Sequence, residues 1–137
     1  RITRFAATPA GARRVSVMRK GSAGIKELAP SEALLADFQR EKDRLRAQGI
    51  GAEAAHAGAC EAIDYRRRFL AQMRGDATSL AALKVLIAEA HTREVYLMCM
   101  CPYRTRDRAC HSYLLLDLAA EMDPALAILE EPAQAPR

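Results

Sequence analysis

Val15 and Val17 alternate with Ser16, the two-residue period of a strand with one buried face. The pattern predicts short strands over Ile2–Ala6 and Arg14–Met18, separated by the turn chemistry of Thr8-Pro9-Ala10-Gly11. The period then lengthens. After Pro30-Ser31-Glu32, where serine suits an N-cap and glutamate a first turn, Leu34, Leu35, Phe38 and Leu45 share one stripe. Gly49-Ile50-Gly51 ends that helix. A second is predicted over at least Glu61–Met73, on Ile63, Phe69, Leu70 and Met73. Gly75–Ser79 breaks the chain, and a third helix runs from about Ser79 to Ala90 on Leu80, Leu83, Leu86 and Ile87. Val95–Met100 has no polar interruption, which predicts a strand buried on both faces, as in the middle of a parallel sheet. The helix before it is the crossover such a pairing needs. His111–Met122 returns to helical spacing through Leu114, Leu115, Leu118 and Met122 until Asp123-Pro124 stops it. Ala125–Leu129 reads as a last edge strand and residues 130–137 as a loose tail. This order of elements predicts one α/β layered domain over residues 1–137.

Composition narrows the class. Half of the 137 residues are hydrophobic and only 5% aromatic, so the core must rest on Leu, Ile, Val, Met and Ala. No run is long enough to cross a bilayer and nothing resembles a signal peptide. Four cysteines without the regular spacing of a secreted scaffold point to a reduced chain, expected in the cytoplasm. The chain opens on Arg1 rather than Met, so further residues are expected upstream. Net charge is +4, but its distribution is uneven. Arg1, Arg4, Arg13, Arg14, Arg19, Lys20 and Lys26 precede the first acid, whereas the stretch from Asp117 to Glu131 is acidic. A basic N-terminal face of this kind could meet phosphate, nucleic acid or an acidic partner, and Arg66, Arg67 and Arg68 could add to it.

The chemistry-bearing residues gather between Val95 and Leu118. Cys99 and Cys101 share a strand face, with Cys99 expected to fill the core. Cys110 falls in the first turn of the last helix, where unpaired N–H groups, the helix dipole and Arg104, Arg106 and Arg108 would favour a thiolate. Cys110 is therefore the first candidate for a reactive thiol and Cys101 the second, with His111 beside it. Known cysteine loops fit poorly. A tyrosine-phosphatase loop needs arginine six positions after its cysteine, but Cys101 has Asp107 there and Cys99 has Thr105. Cys101 and Arg106 have a rhodanese-like spacing, yet the loop lacks glycine, and Pro102 removes a backbone donor. Cys99, Cys101, Cys110 and His111 are zinc-compatible by type but not by spacing, so no metal is assigned. His56 and Cys60, four apart, have a metal-compatible helical spacing but read as partly buried helix surface.

If the strands ending at Met18 and Met100 are parallel neighbours, their following loops emerge at the same sheet edge, where open α/β sheets bind ligands. Arg19, Lys20, Gly21, Ser22 and Lys26 would then face Arg104, Arg106, Arg108, Cys110 and a helix N-terminus, a setting for phosphate.

Glu27-Leu-Ala-Pro-Ser31, Tyr65-Arg-Arg-Arg-Phe69, the apolar strand reaching Cys99 and the Asp107…Cys110-His111 helix entry together resemble the domain of unknown function 488 (DUF488) family, in its YeaO-like branch. The resemblance runs from about Val15 to Met122. It implies a three-layer Rossmann-like α/β domain with a mostly parallel sheet and no established reaction. Ser112 stands where the family commonly has arginine, and the stretch from Gly49 to Cys60 is longer than usual. Two functional readings stay open: an anion- or phosphate-binding, thiol-dependent site at Cys110 and His111, or a nucleic-acid-associated module using the basic N-terminal face. Cofactor and oligomeric state are not assigned.

Overall fold

The computed structural model describes residues 2–4, 12–19, 24–98 and 111–128. Three short strands, β1 (Ile2–Arg4), β2 (Arg13–Ser16) and β3 (Val95–Met98), form a sheet of order β1-β3-β2. Both outer strands run parallel to β3, with Ile2 and Arg13 each opposite Val95 and Ser16 opposite Met98. The β2 ladder extends beyond the strand at both ends: Arg13 N–H donates to the Glu94 carbonyl at 2.9 Å and Val17 N–H to the Met98 carbonyl at 3.0 Å. The two N-terminal strands therefore flank β3 and do not pair with each other. The Thr8–Gly11 turn expected between them lies outside the described residues.

Between β2 and β3 come a 3-10 turn (Lys26–Leu28) and four helices in succession: α1 (Glu32–Ala47), α2 (Ala52–Ala62), α3 (Tyr65–Arg74) and α4 (Ala77–Ala90). A fifth, α5 (His111–Met122), follows β3. This overturns the three-layer Rossmann-like α/β architecture expected from the sequence. A doubly wound sheet returns to a strand after each helix. Here four helices pass without one, so they bury their apolar stripes largely on each other, and the described molecule is mostly helical with a small sheet. Of the expected edge strand at 125–129, only an isolated bridge at Ile128 is seen among the described residues. Leu126 N–H instead closes a turn onto the Asp123 carbonyl at 3.0 Å, and Leu126 is buried.

Local chemistry sets the helix ends. The Ser31 hydroxyl caps α1 by accepting from Leu34 N–H at 3.1 Å. One helix was expected over Glu61–Met73; the chain breaks at Asp64, whose φ of 55° is left-handed, and begins again at Tyr65. The Asp76 carboxylate caps α4 by accepting from Thr78 N–H at 2.8 Å.

The core joins β2, β3 and all five helices through residues including Val17, Leu28, Phe69, Met73, Leu97 and Leu114. Ser112 to Leu116 are all buried, so α5 is enclosed on nearly every side. In β3, Val95 and Leu97 are fully buried but Tyr96 and Met98 only partly. That corrects the expectation of burial on both faces. The alternation is that of a strand with one face closed.

Candidate functional site

The first turn of α5 begins at His111, next to the C-terminal end of the β2 segment. His111 Nε2 lies 2.9 Å from the Val17 carbonyl oxygen, ninety-four residues away in sequence. Its ring meets the buried Phe69 ring edge-on, with centroids 5.7 Å apart and planes at 63°. Because Val17 itself pairs with Met98, the ends of β2 and β3 and the start of α5 meet at one place.

The loop after β2 is braced from inside. Lys26 Nζ donates to the Met18 carbonyl at 3.2 Å and to the Arg19 carbonyl at 2.7 Å. Arg19 Nε donates to the Pro30 carbonyl at 3.0 Å. Two of the three ammonium donors of Lys26 are thus committed to backbone, while Arg19 keeps its two terminal amino groups. Gly24 closes the loop against β2. Its φ is +110°, and a Cβ there would sit 2.4 Å from the Ser16 carbonyl oxygen.

The Glu27–Ser31 segment, one of the motifs that carry the family resemblance, leads from Lys26 into α1 as a strap. Ser79 Oγ donates to the Glu27 carbonyl at 2.6 Å, and Gln72 Nε2 to the Ala29 carbonyl at 2.9 Å. Gln72 Oε1 accepts from Ser31 N–H at 2.8 Å. Leu28 and Ala29 are fully buried; their N–H groups donate to the Ile25 and Lys26 carbonyls, and side chains complete the pairing of the strap. The motif is thus a hydrogen-bonded strap, positioned by α3 and α4.

The Tyr65–Phe69 motif divides its labour. Tyr65 and Phe69 are buried and stacked, with ring centroids 6.2 Å apart. Phe38 meets Tyr65 and His56 edge-on at 5.9 and 5.0 Å, so a line of rings connects His56 to His111 through Phe69. The intervening arginines do not build a basic face. Arg66 pairs with Asp117 at 3.3 Å, Arg67 with Asp64 at 2.5 Å and Arg68 with Asp37 at 2.8 Å. The hydrogen bond from Arg68 is the main reason the Asp37 carboxyl is held below its ordinary range. Arg13 likewise pairs with Glu89.

Of the residues singled out in the sequence, Arg19, Lys26 and His111 come together here. Lys20, Ser22, Arg104, Arg106, Arg108 and Cys110 lie outside the described residues, as do Cys99 and Cys101. His56 and Cys60, expected as partly buried helix surface, are both buried, with Nδ1 4.0 Å from Sγ. Among the described residues no group of three or more His, Cys, Asp or Glu could hold a metal ion. Val17, Phe69, Gln72 and Ser79 escaped sequence reasoning as site-shaping residues. Phe69 could have been found from its motif, whose aromatic ends are the buried part.

A family model described as the active DUF488-N3 subclade matches residues 1–123. The match bears out the family indicated by the motifs and does not extend to the YeaO-like branch. No curated protein and no solved structure matches the chain.

Proposed function

This chain belongs to the DUF488 family, and on that premise we propose that it binds a phosphate-like anion at the shared C-terminal end of β2 and β3, beside a reactive Cys110. The observation that carries this reading is the parallel pairing of β2 with β3, joined to the first turn of α5 by the hydrogen bond from His111 to Val17. Two loops and a helix start then share one sheet edge, the usual ligand position in open parallel sheets. The N-terminus of α5 carries a partial positive charge, which suits an anion and a thiolate alike. Arg19, anchored through Nε, offers two amino groups from a fixed position, and Arg104, Arg106 and Arg108 follow β3 in sequence. Lys26 serves this site chiefly by closing the loop. The description of the matching model as an active subclade favours a working site over a vestigial one.

Isothermal calorimetry with inorganic phosphate tests the anion half. A charge-assisted hydrogen bond contributes about 1.5–3 kcal/mol, so Arg19→Ala and Arg106→Ala should each weaken binding about tenfold or more. An unchanged isotherm in the double variant would end this reading. Iodoacetamide labelling against pH tests the thiol half: Cys110 should react well below the ordinary thiol pKa of about 8.5. Titration near 8.5 would remove it.

The alternative reading, a nucleic-acid-associated module on the basic N-terminal face, draws less support. Arg13 is paired with Glu89, and Arg19 and Lys26 donate to backbone carbonyls. Such a module would show an affinity for nucleic acid that falls steeply with salt.

A further inference from the structure

The carbonyl that anchors Arg19 belongs to a peptide plane gripped from its other edge. Across a trans peptide the C=O and the following N–H point in opposite directions. The Pro30 carbonyl accepts from Arg19 Nε at 3.0 Å, and the Ser31 N–H on the opposite edge donates to Gln72 Oε1 at 2.8 Å. Gln72 Nε2 donates to the Ala29 carbonyl at 2.9 Å, so one side-chain amide spans Pro30. The backbone is ready for that grip. Proline fixes its own φ and holds the residue before it extended, and Ala29 has φ −88° and ψ 153°. Ser31 is the N-cap of α1, whose N–H a capping box would satisfy with glutamate or glutamine three residues on. Leu34 stands there, and Gln72 of α3 takes the N–H instead.

We propose that Gln72 is a positioning residue for Arg19: α3 sets the Pro30–Ser31 peptide plane, and that plane sets the guanidinium that meets the anion. This rests on the anion reading above. Turning the plane would carry the acceptor away from Nε and release the side chain. With Gln72 in place, Arg19 is ordered before an oxyanion arrives and presents Nη1 and Nη2 to it, so binding does not have to immobilise a long side chain. The bond to Ser31 N–H also polarises the Pro30 carbonyl and strengthens it as an acceptor. Lys26, which holds the Met18 and Arg19 carbonyls, fixes the backbone from which the same side chain starts.

Proton–nitrogen NMR of the full chain reads the anchor directly, with the Arg19 Nε–H signal assigned by its loss in Arg19→Lys. In wild type that signal should stand apart from those of exposed arginines and exchange slowly with solvent. Gln72→Met keeps the length of the side chain without its polar atoms; Gln72→Asn keeps the amide but falls a methylene short of the strap. Gln72 is half-buried, so two such different replacements keep the test open if one of them folds poorly. In each, the Arg19 signal should move toward the exposed arginines. Affinity for inorganic phosphate by calorimetry should fall roughly two- to tenfold, the cost of immobilising one long side chain. Ile87→Val, a core truncation further along α4, should lower the urea midpoint with neither change, which separates positioning from a general loss of stability. An unmoved Arg19 signal in both Gln72 variants overturns the proposal. So does a displaced signal with phosphate affinity at the wild-type level, a result that leaves the anion reading standing. If wild type binds no phosphate while the Gln72 variants still release Arg19, the anion reading fails and the hold of Gln72 on Arg19 remains.

Discussion

Ser79 sits in the first turn of α4, 2% exposed, and gives its hydroxyl proton to the Glu27 carbonyl at 2.6 Å. A buried serine with a dedicated acceptor contributes about 1 kcal/mol net, and its removal also leaves a carbonyl without its partner. Ser79→Ala should therefore lower stability by about 1–2 kcal/mol, read as a lower urea midpoint with an unchanged slope. Ser79→Thr keeps the donor and separates that loss from crowding. Arg66, Arg67 and Arg68 teach a different lesson at the same scale. A run of arginines reads as basic surface, yet each has an acid opposite it, two of them far away in sequence: Asp117 and Asp37. The sign of a surface depends on those partners, which no local pattern names. Cys60 and His56 make the same point for burial, since their helical spacing was legible but the Phe38 ring against His56 was not.

At the level of elements, the segment from β2 through the Glu27–Ser31 strap behaves as one braced unit. Gly24 is its tightest point. The Ser16 carbonyl that a Cβ would strike at 2.4 Å is the same atom that accepts from Ile25 N–H at 2.9 Å. With φ at +110°, an alanine is strained as well as crowded. Gly24→Ala should cost more than about 1 kcal/mol and disturb the Arg19 anchor, which calorimetry with phosphate would show as weaker binding. An unaltered urea midpoint would contradict the close approach. The Glu27–Ser31 motif thus acts largely through backbone: Leu28 and Ala29 are buried, while Gln72 and Ser79 pair with its backbone polar groups. In α3, the apolar spacing of Phe69, Leu70 and Met73 was enough to predict a buried stripe. It could not reveal that Phe69 touches His111.

At the scale of the molecule, four carboxyls among the described residues are shifted in the same direction. Asp37, Glu41, Asp76 and Asp123 are all held below their ordinary values, chiefly by side-chain hydrogen bonds from Arg68, Arg44, Thr78 and His91 respectively. A carboxyl whose pKa is lowered by folding stabilises the fold above the unfolded value and loses that contribution as pH falls through the folded one. The thermal midpoint should therefore hold down to about pH 5 and drop as pH passes below the ordinary carboxylate values of 3.8 and 4.5. Asp76→Asn should flatten part of that fall, because the cap then no longer titrates; an identical acid profile would exclude Asp76 from it. By itself the sequence determined the Ser31 cap of α1, the course of α5 from His111 to Met122, most of the apolar positions of the core and the family the chain belongs to. These follow from residue spacing and backbone chemistry over a few turns. Only the tertiary structure decided the β1-β3-β2 order, the packing of successive helices in place of a layered sheet, and the meeting of His111 with Val17. Periodicity identifies a buried face but not what covers it. A hydrogen bond spanning ninety-four residues has no trace in local pattern, and on such contacts the site is built.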